Sequence, residues 1–166
     1  VEVKDGEDVL YSLVYNITSD GLGLEVKIGQ HPTANIELTI PETLDVNNSG
    51  YIMNVVSIAD NAFIDCESFT SIEIPGKITS IGDNAFAGCI GVENIISYAT
   101  IAPSTGENCF EGIADANLYV MSFDEYNKAP WNTFNILPLL YEYYADGYSL
   151  IFRILSDYSG LEVEIG

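Results

Sequence analysis

The sequence predicts an α/β fold, a short solenoid of stacked repeats flanked by β-hairpins, and three observations support this. The stretch "SIADNAF" at 57–63 returns as "SIGDNAF" at 80–86, an interval of 23 residues. Inside that interval the apolar spacing changes from helix-like to strand-like. A hairpin-like segment at 11–29 returns at 148–166. A catalytic motif has no reason to recur at a fixed interval, whereas a unit that stacks on copies of itself must do so.

Each repeat is predicted to contain one strand and one short helix. The 23 residues that begin at Val55 share eight identities with the 23 that follow them. Ile72 and Ile74 alternate as one inward face of a short strand, while Phe63 and Cys66 are spaced to share a face of a helical turn. We refer to one such repeat as a rung.

The aspartate that recurs in each repeat is given a structural role. Asp60 and Asp83 stand where each helical turn is predicted to begin, so their carboxylates are interpreted as helix caps rather than ligands.

The three cysteines are predicted to be unpaired. Cys66 and Cys89 recur with the repeat and are expected to be buried, on rungs too far apart for a disulfide. Cys109 and Phe110 belong to a third, degraded rung.

An earlier rung is predicted upstream, because "IELTIP" at 36–41 is similar to "SIEIP" at 71–75. Between them, "DVNNSG" is typical of a polar turn that leads into an extra strand, "YIMNVVSI". Asp45 and the polar residues after it imitate the first half of a calcium loop. However, Val56 stands where a bidentate Glu is required, so no metal site is predicted.

Charge narrows the range of partners. The 166 residues include 25 acidic and 5 basic ones, for a formal net charge of −20 at pH 7. This surface repels phosphates and anionic headgroups, so nucleic acid and bare membrane are not expected partners. Solubility explains the charge, with a cationic partner or divalent ion as the alternative.

No apolar run long enough for a membrane span occurs and no leader follows Val1, so neither membrane insertion nor a signal peptide is predicted for this segment.

Several phrases resemble the BspA-like, or treponemal-type, leucine-rich repeat family. They are "VVSIADNAF", "FTSIEIPGKITSIGDNAFAGC" and "LYVMSFDEYNKAPWNTFNI", and the resemblance covers roughly residues 36–136. It implies a short right-handed leucine-rich-repeat solenoid with a parallel strand ladder and short helical turns, closed by a segment containing Tyr126, Trp131 and Phe134. It also implies an exported protein, extracellular or at the cell surface and lipid-anchored in some members. The family is found mainly in host-associated bacteria and is associated with adhesion.

Three parts are predicted along the chain. Residues 1–35 form an N-terminal β-hairpin cap, residues 36–136 form the solenoid with its closing segment, and residues 137–166 begin a second module.

The predicted function is non-catalytic recognition or adhesion through a protein or glycan ligand at a cell surface. A passive spacer in a longer tandem-repeat surface protein is the alternative. Solenoids bind through extended, regular surfaces. The candidate ligand-binding residues lie on the predicted outward face of the ladder: Glu37, Thr39, Ser71, Glu73, Asn94 and Ile96. Each is equally consistent with a solvated strand position. A binder should show a contiguous outward aromatic or apolar patch, and a spacer a uniformly acidic one.

No catalytic residue or cofactor is predicted. The one histidine, His31, precedes a proline in a predicted loop, and the sequence lacks the common nucleophile, nucleotide and metalloenzyme signatures. A glycan hydrolase is the remote alternative, because among 25 acidic residues some pair can lie at a suitable separation by accident.

The two ends are predicted to be copies of one hairpin. Residues 11–29 and 148–166 share twelve identities in nineteen positions, and each copy is typical of two strands joined by an Asp-containing turn. An isolated hairpin is marginal in water. The second copy is therefore expected to pack on the solenoid or to pair with another chain through 148–165, and tandem modules are predicted.

Overall fold

The computed structural model describes residues 2–5, 8–113, 115–139, 141–145, 148–154 and 161–165, with side chains described for 10–113 and 115–139. These residues form mainly short strands. In chain order they are β1 Glu2–Asp5, β2 Asp8–Ile17, β3 Leu24–Gln30, β4 Ile36–Thr39, β5 Thr43–Asp45, β6 Ile52–Ile58, β7 Phe69–Ile74, β8 Ser80–Ile81, β9 Asn94–Ser97, β10 Ser104–Thr105, β11 Asn117–Val120, β12 Asn135–Pro138, β13 Tyr141–Ala145, β14 Tyr148–Ile154 and β15 Leu161–Ile165. The helices are α1 Phe123–Tyr126 and two 3₁₀ turns, Val46–Asn48 and Trp131–Thr133.

Two sheets form opposite sides of the solenoid. The first contains five parallel strands in the order β12-β11-β9-β7-β4. The predicted parallel pairing of 36–40 with 71–74 is confirmed, since Leu38 lies opposite Ile72. In the second sheet β3, β6, β8 and β10 are parallel neighbours, β2 and β1 extend it beyond β3, and β5 forms a hairpin with β6. The predicted extra strand before the first full repeat is β6.

The segments between the sheets are tight turns, so the predicted helices at Asp60 and Asp83 are wrong. Asn61, Asn84 and Asn108 all have positive φ, from 52 to 54°. This left-handed region suits asparagine better than most residues. It rotates alternate N–H groups towards the next rung, so that Phe63 N–H donates to the Ala85 carbonyl at 2.7 Å. In a continuous helix those N–H groups would instead donate to carbonyls of the same helix.

The two aspartates consequently do not cap helices. Asp60 Oδ1 accepts the backbone N–H of Asp83, and Asp83 Oδ1 accepts that of Glu107 at 2.7 Å. Each carboxylate thus satisfies a donor one rung further along the solenoid.

A column of aromatic rings runs through the core along the stacking direction. Phe63 stacks on Phe86 with centroids 5.2 Å apart, and Phe86 stacks on Phe110 at 5.7 Å. Trp131 and Phe134 then pack on Phe110 and end the column. This burial of apolar surface is the main force that holds successive rungs together.

All three cysteines are free, as predicted, and the predicted burial of Cys66 and Cys89 is confirmed. Cys109 is buried as well. Cys89 Sγ donates to the Phe63 carbonyl at 3.0 Å, so its thiol also connects two rungs. Cys109 does not continue the column of Cys66 and Cys89. It follows Asn108 in "ENCF" as Ala85 follows Asn84 in "DNAF", and is buried like that alanine.

The segment after β11 closes the end of the solenoid. Tyr126 OH donates to the Ala99 carbonyl at 3.0 Å, and Trp131 Nε1 donates to the Pro103 carbonyl at 3.2 Å. Both rings are buried. The closing residues implied by the family resemblance therefore occupy the core.

Both predicted hairpins are present as antiparallel strand pairs, β2 with β3 and β14 with β15. In the first, the turn contains Asp20, whose carboxylate accepts the Leu22 N–H at 3.0 Å. How the second copy packs lies outside the described residues, so that part stays a prediction. The proposed division at residues 35 and 136 also stays a prediction.

Candidate binding face

The outward positions of the five-stranded ladder form two rows, which we call the ladder face. The first row is Glu37, Ser71, Asn94, Asn117 and Asn135, and the second is Thr39, Glu73, Ile96, Tyr119 and Leu137. All six candidate residues from the sequence lie in these rows, and they are strand neighbours in the predicted order.

Burial separates the six candidates. Glu37 and Thr39 are exposed, and Glu73, Asn94 and Ile96 are partly buried. Ser71 is only 7% exposed, so its expected role as an outward contact residue is corrected. Its short side chain lies between the longer Glu37 and Asn94 on the adjacent strands.

Three asparagines form a hydrogen-bonded row of amides. Asn117 Nδ2 donates to Asn94 Oδ1 at 3.3 Å, and Asn135 Nδ2 donates to Asn117 Oδ1 at 2.8 Å. These bonds hold the amides in one orientation across three strands. Asn117 and Asn135 were not predicted from the sequence. The separation of 23 residues between Asn94 and Asn117 is the signal that could have found the first of them.

Beside the amides lies a contiguous row of apolar and aromatic side chains. Ile96, Tyr119 and Leu137 occupy adjacent positions on three neighbouring strands, and each is partly buried. Neighbouring strands are about 4.8 Å apart, so the row is roughly 10 Å long. Two of its members, Tyr119 and Leu137, were not predicted.

An open groove lies at the acidic end of the ladder face. It has a volume of about 400 Å³ and is lined by Ile40, Glu42, Glu73, Pro75, Gly76 and Tyr98. Tyr98 is 38% exposed, so an aromatic surface borders two carboxylates. Such a lining suits hydrogen-bond donors and cationic groups.

A second depression of about 250 Å³ contains His31 and Cys66. Cys66 Sγ lies 3.4 Å from His31 Nδ1. Burial, together with the charge of Asp65, raises the pKa of Cys66 to about 12. A nucleophilic cysteine requires a lowered thiol pKa. The raised pKa of Cys66 therefore disfavours the thiolate that such a role needs.

The turn that imitates a calcium loop has a structural explanation. Both carboxylate oxygens of Asp45 accept the Gly50 N–H, at 2.9 and 3.2 Å, which closes the turn between β5 and β6. Within the part of the chain that the structure describes, no three His, Cys, Asp or Glu side chains are grouped so as to hold a metal ion. No helix among the same residues is long and apolar enough to cross a bilayer.

Comparison with known families identifies one match. Residues 53–139, just over half of the chain, match the family model described as "BspA type Leucine rich repeat region (6 copies)". No match was found among curated proteins.

Solved structures with similarity to the chain include three leucine-rich repeat proteins. A leucine-rich cell surface protein from Faecalibacterium prausnitzii is 23% identical, with a TM-score of 0.48 over 75% of this chain and 34% of that one. A leucine-rich repeat protein from Bacteroides ovatus is 21% identical, with a TM-score of 0.47 over 69% and 35%. A T. pallidum leucine-rich repeat protein is 16% identical, with a TM-score of 0.39 over 67% and 69%. The chain thus spans about a third of the length of the first two.

Proposed function

Because the chain belongs to the BspA-type leucine-rich repeat family, we propose that it is a non-catalytic recognition module that binds a protein or glycan through its ladder face. The location that we propose with this role is the cell surface, as the family resemblance implies. Labelling of intact cells with an antibody against the chain tests that location, and signal only after permeabilisation would contradict it.

The observation that supports binding is the row of Ile96, Tyr119 and Leu137. The row is contiguous, lies on three paired strands and is bordered by the hydrogen-bonded amides of Asn94 and Asn117. Apolar and aromatic anchors beside fixed polar groups are typical of binding sites, and tyrosine is enriched among interface hot spots. A spacer was expected to be uniformly acidic here, whereas only Glu37 and Glu73 are acidic in the two rows.

The direct test is a binding screen of the whole chain against host matrix proteins and a glycan array. For any ligand found, Tyr119→Ala should weaken binding by about 30-fold, the effect of removing a typical hot-spot side chain. Tyr51→Ala is the matched control, because Tyr51 is an exposed tyrosine beside β6 on the other sheet.

The outcomes separate the two functions. Loss of affinity in the Tyr119 variant alone supports recognition by the ladder face. Equal loss in both variants, or in neither, contradicts it. If no protein or glycan binds better than millimolar, the passive spacer is the correct description.

The remote alternative, glycan hydrolysis, has one specific observation in its favour. Glu42 and Glu73 line the same groove beside Tyr98, and a pair of carboxylates is the usual glycosidase machinery. Incubation with the array glycans, with Glu73→Gln as the matched variant, tests this directly. Release of reducing sugar by the native chain and not by the variant would establish it.

A further inference from the structure

The two end hairpins have the same pairing register as well as similar sequences. In the first, Leu13 lies opposite Ile28, Tyr15 opposite Val26 and Ile17 opposite Leu24. In the second, Leu150 lies opposite Ile165, Phe152 opposite Val163 and Ile154 opposite Leu161. Each residue of the second set lies 137 positions after its equivalent in the first. The second hairpin therefore repeats the first pair for pair.

The first hairpin covers the beginning of the solenoid. One edge of β3 pairs with β2, and its opposite edge faces the solenoid. That edge pairs in parallel with β6, with Glu25 opposite Ser57 and Val26 opposite Ile58. The contact continues past the strand, since Ala59 N–H donates to the Val26 carbonyl at 3.0 Å. Leu24 and Val26 are buried in the resulting core. The hairpin thus supplies both backbone bonds and apolar surface to the first rung.

In the second hairpin, β15 is the equivalent of β3 and has a corresponding edge that could pair with a further strand. Among the described strands, β15 pairs only with β14, so it stands at the edge of the sheet β13-β14-β15. Its sequence "LEVEI" differs from the "LEVKI" of β3 at one position. An edge strand presents a row of N–H and C=O groups that can pair with another strand.

We propose that the edge of β15 is a docking site for a strand of the β6 type, carried by a further solenoid unit that has no hairpin of its own. The strand pairs in parallel, in the register that β3 uses with β6, so that Glu162 lies opposite the equivalent of Ser57. The β6 strand of an intact second copy does not fit this role, because its corresponding edge is already occupied by its own β3. This proposal is independent of ligand binding by the ladder face.

The test uses the full chain followed directly by a second copy of residues 30–139, which lacks a hairpin. Glu162→Cys is combined with Ser57→Cys in the appended unit, since paired strands lie within the Cα separation that a disulfide allows. The positive control is Glu25→Cys with Ser57→Cys in the first unit, the equivalent pair in the known register. The register control replaces Asn54, rather than Ser57, of the appended unit.

The proposal predicts that Glu162→Cys and Ser57→Cys form a disulfide as completely as the positive control, and that the Asn54 variant does not. Amide exchange of residues 161–165 should also slow by about tenfold or more relative to the unfused chain, because their N–H groups gain partners. An unfolded appended unit, equal cross-linking at Asn54, or unchanged exchange would overturn it. Self-cross-linking of the unfused Glu162→Cys chain as a dimer would show that β15 pairs with itself, which also overturns it.

Discussion

Asp60 Oδ1 accepts the backbone N–H of Asp83 at 2.9 Å, although the two residues are 23 positions apart. The same bond recurs between Asp83 and Glu107 at 2.7 Å. The aspartate of "DNAF" therefore connects rungs, and the repetition of the motif follows from this connection. Each rung offers an acceptor to the next and receives a donor from it.

Removing the Asp60 acceptor should lower the free energy of unfolding by the net contribution of one hydrogen bond. Asp60→Ala is expected to reduce the free energy of unfolding by about 1 kcal/mol, the usual net value of a hydrogen bond. Asp60→Asn keeps an acceptor oxygen without the charge, and should lose about half as much. Urea denaturation of both variants measures this. An unchanged midpoint for Asp60→Ala would show that the bond contributes nothing.

Close stacking of the rungs explains the glycine in "SIGDNAF". A Cβ added at Gly82 would lie 2.5 Å from Asp60 N and 2.7 Å from the Ala59 carbonyl carbon. The first rung has Ala59 at this position because it follows a hairpin strand rather than another such turn. Gly82→Ala should therefore destabilise the protein by about 1–3 kcal/mol through overpacking. Ala59→Gly is the matched control, with an expected loss below about 1 kcal/mol. Equal thermal midpoints for the two variants would contradict the steric explanation.

The buried thiols should make the protein less stable in alkaline solution. Burial raises the pKa of Cys66 and Cys89 to about 12 and that of Cys109 to about 11, from a value of 9.0. Well below pH 9 all three thiols are neutral in both the folded and the unfolded state, so they make no pH-dependent contribution to the free energy of unfolding. Above that pH the unfolded chain ionises first, so the free energy of unfolding falls by about 1.4 kcal/mol per pH unit for each thiol until the folded pKa is reached.

Denaturation at several values between pH 8.5 and 10 measures this slope, a range that limits the contribution of tyrosines. Cys109→Ala provides the control, since alanine occupies the equivalent position at residues 62 and 85. It should fold and should lose about one third of the slope. A pH-independent free energy of unfolding in the native chain would refute the prediction.

The closing segment should depend on a buried pair of hydroxyl groups. Ser97 Oγ lies 2.6 Å from Tyr126 OH, and both side chains are buried. Tyr126→Phe leaves Ser97 without this partner, so we expect a loss of about 1–3 kcal/mol. Adding Ser97→Ala should cost less than the sum of the single changes, because the pair acts as a unit. Tyr119→Phe, on the partly exposed ladder face, is expected to have little effect. Additive losses would disprove the coupling.

The periodicity in the sequence by itself determined the solenoid, the inward strand residues, the free buried cysteines and the two hairpins. These features depend on local alternation and on the spacing between copies, both of which are visible in one dimension. Ile72 alternates with polar neighbours and was placed inward correctly, as was Cys89. The parallel ladder, which the family resemblance implied, supplied the correct counterparts for Glu37, Ser71 and Asn94.

Only the tertiary structure decided the turns and the composition of the ladder face. Locally, the "DNAF" stretch satisfies the rules for a capped helix, but its hydrogen-bond partners lie one rung away and select a left-handed turn at Asn61. Ser71 alternates like an exposed residue, yet it is buried between the longer Glu37 and Asn94 of the adjacent strands. The row of Ile96, Tyr119 and Leu137 likewise exists only because three distant segments pair in register. Contacts across the stacking direction, which local spacing does not encode, therefore determine the candidate binding surface.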